Sequence, residues 1–207
     1  VSNDVISQPR QTQNINLTGN LNSSMAVGDN RKTSMNIYDQ IGAVHSLEFT
    51  FTKNATANTY DISATIDGNA LTLGTGQVVF NADGTLNTPT SLAITAADLN
   101  TAIGNPAFDA TTPKDLTVQL ADPNQLLSGL TQFAMPSTAS FTSQDGYKMG
   151  GLQDLSVDSE GKIWGAFTNG RSELLGQVVI ARFTNPEGLI QKGNNMYINS
   201  PNSGDAV

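Results

Sequence analysis

Alternation with a period of two dominates this chain and limits what it can fold into. His45, Leu47, Phe49 and Phe51 point one way, while Ser46, Glu48, Thr50 and Thr52 point the other. Tyr60, Ile62, Ala64 and Ile66 alternate with Asp61, Ser63, Thr65 and Asp67, and Leu116, Val118 and Leu120 alternate with Thr117 and Gln119. Such a pattern describes half-buried antiparallel strands with one apolar and one wet face. Gln77–Phe80 and Leu174–Phe183 are more continuously apolar, which predicts central strands. Asp39-Gln40-Ile41-Gly42, Asp67-Gly68-Asn69, Ala82-Asp83-Gly84 and Ser159-Glu160-Gly161 fall between strand-like runs, and their glycines supply the positive φ that hairpin turns need. The fold class is therefore all-β, sandwich-like or barrel-like.

Helix is scarce. Thr95-Ala96-Ala97-Asp98 resembles a capping box with Asp in place of Glu and predicts a short helix ending near Gly104. Asp122-Pro123 and Asn185-Pro186 each place a capping side chain before proline, which predicts single turns. The polar stretches Asn14–Asp29 and Ser137–Asp145 bracket most of the strands, dividing the chain into β units over 19–143 and 146–207.

Composition excludes several functions. Charged residues make up 14%, well below the roughly 25% of an average domain. Their place is taken by 23 Thr, 21 Asn and 17 Ser. A net charge of −8 lacks the basic footprint that nucleic acid requires. Val178-Val179-Ile180-Ala181 is too short to span a bilayer, so no membrane insertion is expected. With no cysteine and one histidine there is no disulfide framework, thiolate site or multi-histidine metal centre. The opening Val1-Ser2-Asn3-Asp4, with neither methionine nor an apolar leader, predicts a piece of a longer chain.

Each candidate for chemistry has a plainer structural reading. His45 continues the Leu47/Phe49/Phe51 face and reads as a hydrogen-bonded residue at the core edge, with no nucleophile motif beside it. Asp154, Asp158 and Glu160 lack the spacing of a calcium loop, and Asp158-Ser159-Glu160-Gly161 reads as a hairpin tip. Asp61 and Asp67 lie six residues apart on one strand, about 20 Å at strand rise and too far for a glycosidase pair. The glycines of Gly165–Gly176 form no phosphate loop. Trp164 and Tyr147 suit a sugar platform less well than a core or interface anchor. No catalytic, cofactor-binding or metal-binding residue emerges, and the chain is expected not to be an enzyme.

A long motif series remains. Gly146-Tyr147-Lys148-Met149-Gly150 leads through Asp158–Ile163 to Phe167-Thr168-Asn169-Gly170 and Leu175-Gly176-Gln177-Val178-Val179-Ile180-Ala181-Arg182-Phe183. Asn185-Pro186-Glu187-Gly188-Leu189, Gly193-Asn194-Asn195-Met196-Tyr197 and Ser203-Gly204 follow. Upstream stands Tyr38-Asp39-Gln40-Ile41-Gly42-Ala43-Val44-His45. This series resembles the bacterial flagellar hook proteins, within the wider family of axial rod and hook subunits. The matches bracket residues 35–205, and the inserted segment is hook-like rather than rod-like.

The resemblance implies an inner β domain from 1–18 with 144–207, and an outer β domain, 19–143, inserted into it. The family's N-terminal Asp-x-Ala-Ile…Gly-Phe-Phe stretch and its terminal helices are missing, so the inner domain is expected to be incomplete. The implied function is that of a structural subunit polymerising into a flexible curved tube, the universal joint between motor and filament. Implied partners are copies of itself and other axial proteins (rod, hook cap, hook–filament junction), with the lone fragment monomeric. The implied location is the extracellular hook, reached through the flagellar secretion apparatus, and no cofactor is implied. The Asn/Thr/Ser-rich faces would then provide weak contacts that exchange as subunits slide. From the residues alone, a β-sandwich adhesin or phage-tail-like binding module shares the alternation, and a glycosidase is the enzymatic alternative.

Overall fold

A computed structural model describes residues 5–110, 114–121 and 129–207. It divides into two compact units, one of Ile6–Gly150 and one of Gly151–Val207 with Val5. The Asp122-Pro123 turn lies outside the described residues.

The larger unit opens with the two-residue strand β1 (Ile6–Ser7), followed by β2 (Asn14–Asn20). Then come β3 (Asn30–Tyr38), β4 (Val44–Lys53), β5 (Thr59–Ile66), β6 (Asn69–Leu71), β7 (Gln77–Phe80), β8 (Leu86–Thr88) and β9 (Ser91–Ile94). After helix α1 (Ala96–Ile103) follow β10 (Leu116–Gln119), β11 (Leu130–Thr131) and β12 (Ser140–Gln144). One sheet runs β3-β4-β5-β7-β8, with β6 also on β5. Its register sets Leu47 opposite Ile66, Phe49 opposite Ala64 and Phe51 opposite Ile62, so the predicted apolar faces coincide.

The second sheet is built around β2. It pairs in parallel with β10 (Ile15 opposite Val118) and β11, and antiparallel with β12. The inward residues of both sheets, among them Ile15, Leu17, Leu47, Phe49, Phe51, Ile94 and Val118, form one core and are fully buried. Burying each such side chain is worth roughly 1.5–3 kcal/mol. Phe141 of β12 meets Phe49 of β4 with ring centroids 5.4 Å apart, joining the sheets. Tyr60 stands edge-on to Phe80 and donates its hydroxyl to Asn22 O at 2.7 Å, and burial pushes its pKa up to about 12. A bridge between Thr85 and Thr131, with β12 beside β3, brings the two sheets together along two margins in a barrel-like wrap.

Helix α1 begins as the sequence predicts. Thr95 Oγ1 accepts from Asp98 N at 3.1 Å, and Gly104 ends the helix at φ 69°.

The contact boundaries, at 5/6 and 150/151, differ from the 18/19 and 143/144 implied by the resemblance. Strand β2 is the reason: its full length is ladder-bonded within the larger unit, so residues 14–18 stay with that core.

The smaller unit is a meander of β13 (Gly150–Val157), β14 (Lys162–Phe167) and β15 (Ser172–Gln177). A 3-10 turn over Pro186–Gly188 follows, where the Asn185-Pro186 signal predicts one, although the Asn185 side chain does not cap it. Strands β16 (Ile190–Gly193) and β17 (Met196–Ile198) form a hairpin. The expectation of a central strand over Leu174–Phe183 is corrected. Strand β15 ends at Gln177 on the margin of its sheet, and Val178, Val179 and Ile180 lie exposed outside any strand. Their apolar run has no second neighbouring strand, among the described residues, to make it central.

Candidate functional site

The residues with chemical potential are engaged in structure. Among the described residues no group of three or more His, Cys, Asp or Glu is placed to hold a metal ion. Asp61 accepts from Asn54 Nδ2 at 2.8 and 2.9 Å and from Gln77 Nε2 at 2.8 Å. Asp154 accepts from its neighbour Leu155 N. Asp158 closes its hairpin tip as expected, taking Glu160 N, Lys162 N and Trp164 Nε1 at 2.9–3.0 Å. Those bonds hold its carboxyl below the ordinary range, the Trp164 indole being the largest influence. Trp164 is thus tied to its own hairpin.

The motif residues gather into three clasps instead. The first lies in the larger unit, where the chain enters at Pro9–Thr12 and leaves at Gln144–Met149. Arg10 and Tyr147 exchange backbone hydrogen bonds at 2.9 and 3.0 Å. Thr12, fully buried, donates its N–H to Tyr38 O and its hydroxyl to Gln144 Oε1, and its Oγ1 accepts from Tyr38 N. Gly42 sits at φ 83°, where a Cβ would lie 2.9 Å from Pro9 Cβ and 3.1 Å from Lys148 Cα. A Cβ on Gly146 would lie 2.8 Å from Thr12 N. The two motif stretches, about 100 residues apart in sequence, therefore meet where Gly42 packs on Lys148, and Gly146 packs as closely on Thr12, whose bonds reach Tyr38.

Asp39 organises its turn from a buried position, Oδ1 accepting from Ile41 N at 3.0 Å and Ala43 N at 2.7 Å. His45 lies over Phe108, ring centroids 5.5 Å apart. Its Nδ1 is 2.7 Å from Asp67 Oδ2, while Nε2 is 3.6 Å from Asp39 Oδ2 and has no hydrogen-bond partner. Burial opposes the charge on Asp67, but the His45 bond, Ser46 N at 2.8 Å and the His45 charge outweigh it and lower its pKa. Asp145, absent from the motif, binds Gln13 N, Asn14 N, Asn14 Nδ2 and Arg10 across the same clasp.

The other two clasps are in the smaller unit. Gly170, at φ 81°, turns the β14–β15 hairpin, with Asn169 Oδ1 accepting from Arg171 N at 3.1 Å. Leu175, Gly176 and Gln177 lie on β15, where Gln177 Nε2 donates to Glu160 O. Asn185 and Gly188 are held against Ser200–Ser203: Asn185 N donates to Ser203 O, and Ser200 Oγ donates to Gly188 O at 2.6 Å. Ser203 is fully buried there. Gly193 and Asn195, both at positive φ, form the β16–β17 hairpin tip. Ala181 is exposed and Phe183 half-buried, and neither joins a clasp.

The sequence offered no signal for Thr12, Gln144 or Asp145, whose polar side chains act only once distant segments meet.

Residues 9–147 match the family described as the flagellar basal body protein FlaE D2 domain. The chain is 31% identical over 200 residues to the flagellar hook protein FlgE of Treponema pallidum, covering 84% of this chain and 43% of that protein. It is 29% identical over 189 residues to that of Escherichia coli K12, covering 89% and 43%. The crystal structure of Helicobacter pylori flagellar hook protein FlgE2 superposes with a TM-score of 0.54 at 23% identity, over 86% of this chain and 38% of that one, a likeness of fold. The chain thus spans less than half the length of these curated relatives.

Proposed function

Since this chain belongs to the family of the flagellar basal body protein FlaE D2 domain, we propose that it is part of a structural subunit of the bacterial flagellar hook. The subunit polymerises into a flexible curved tube and transmits motor torque to the filament. Copies of itself are its main partners, and the subunit reaches the cell exterior by flagellar export. The observation that carries this reading is the family match over residues 9–147 together with likeness to hook proteins over most of the chain. The clasps support it: most of the motif residues hydrogen-bond or pack in turns and hairpins that join distant parts of the chain, as a structural subunit requires.

The larger unit is the inserted outer domain, and the smaller is part of the inner domain. Leu155, Val157 and Leu175 lie 41–62% exposed on one face of the smaller unit's meander, a face that suits completion by chain outside these 207 residues.

Gold-labelled antibodies raised against this chain should decorate the short curved segment between cell body and filament in cells that produce it. Label over the whole cell surface would overturn the reading and favour an adhesin.

A further inference from the structure

His45 is the chain's single histidine, and its environment is built for a proton. Its ring bridges two turns of the larger unit, the β3–β4 turn through Asp39 and the β5–β6 turn through Asp67. Nδ1 is satisfied at 2.7 Å from Asp67 Oδ2. Nε2 is shielded from water, lacks a partner and faces Asp39 Oδ2 at 3.6 Å. In a neutral ring whose Nδ1–H donates to Asp67, Nε2 is an acceptor, so two lone-pair groups oppose each other. In a doubly protonated ring Nε2–H donates to Asp39, and the contact can tighten to the 2.7–2.9 Å of a charge-assisted bond.

We propose that His45 is a proton-operated latch, closing both turns when its ring carries two protons and loosening the Asp39 turn when it carries one. The groups around it favour this role. Asp39 and Asp67 face the ring directly, and β3 presents the apolar Ile37 opposite it. Asp109, next to Phe108, is paired with Lys114 at 3.1 Å. Lys148 packs its backbone against Gly42 on the far side of the turn. Asp39 is 2% exposed, so a doubly protonated ring places a compensating charge beside a shielded carboxylate. The turn it organises packs on Pro9 and Lys148, where the chain enters and leaves the larger unit, so proton uptake stiffens that base.

Amide hydrogen exchange on this chain, corrected for intrinsic rates, tests the latch between about pH 5 and about pH 8, the range in which imidazole changes charge. Protection at Ile41 and Ala43, whose N–H groups bind Asp39, should fall about tenfold across that range, the loss of one charge-assisted bond. His45→Gln should abolish the pH dependence. Equal protection at both pH values, or the same fall in His45→Gln, overturns the proposal. Nitrogen-15 spectra of the lone imidazole provide a test without any variant. Both ring nitrogens should carry protons at the lower pH and only one at the higher, and a ring unchanged across the range refutes the latch.

Discussion

Asp145 counts in the composition as one more negative charge, yet it does more to join the two ends of the larger unit than any motif residue. It receives two backbone N–H groups, the Asn14 amide and the Arg10 guanidinium. Burial works against its charge, but these donors outweigh burial and hold its pKa below the ordinary carboxylate value. Asp67 is lowered in the same way. A carboxylate whose folded pKa lies below its unfolded one adds stability fully above about pH 4, and that share vanishes as pH falls through the folded value. Wild-type thermal stability should therefore fall steeply on acidification below about pH 4, and Asp145→Ala should flatten that limb. At neutral pH the same variant should cost about 1–3 kcal/mol, read from denaturant unfolding. Gly42→Ala is expected to cost at least about 1–2 kcal/mol for the left-handed backbone, before the clash with Pro9 is added.

At the scale of elements, strands declared themselves where one face is aliphatic or aromatic throughout. Strands β4, β5 and β10 are legible because Leu, Phe and Ile recur at period two. Strands β2 and β12 are not, although β2 is central. Its Asn14-Ile15-Asn16-Leu17 has the right period, but asparagine disfavours strands and the polar composition reads as a boundary. Its partners lie about 100 residues away in β10 and β12, so tertiary pairing overrides local preference. Leu174–Phe183 failed the other way, its apolar run promising a central strand where β15 is marginal. Helix α1 was visible from its caps. Removing the Thr95 hydroxyl by Thr95→Ala should cost about 1 kcal/mol and raise hydrogen exchange in the first turn of α1, leaving the sheets protected.

Across the whole molecule, the polar composition takes on a second role. The resemblance suggested weak exchangeable contacts between copies, yet many asparagines work inside the chain. Asn20 alone holds the backbone of Phe133 and Met135, and Asn100 holds Phe108. In the larger unit these bonds fasten loop backbone to β2 and α1, and the smaller unit is built differently. That smaller unit buries few apolar side chains, with Phe167 the large exception, and leaves Leu155 at 44% and Val157 at 62% exposure. Surface this apolar destabilises nothing when made polar in the isolated chain, but it is lost to any segment that covers it. The double variant Leu155→Ser/Val157→Ser should accordingly leave the melting of this chain within about 0.5 kcal/mol of wild type. In the full-length subunit the same variant should lower the melting temperature and reduce the number of hooks seen by electron microscopy. Unchanged melting and normal hooks in the full-length protein would show that this face stays open to water.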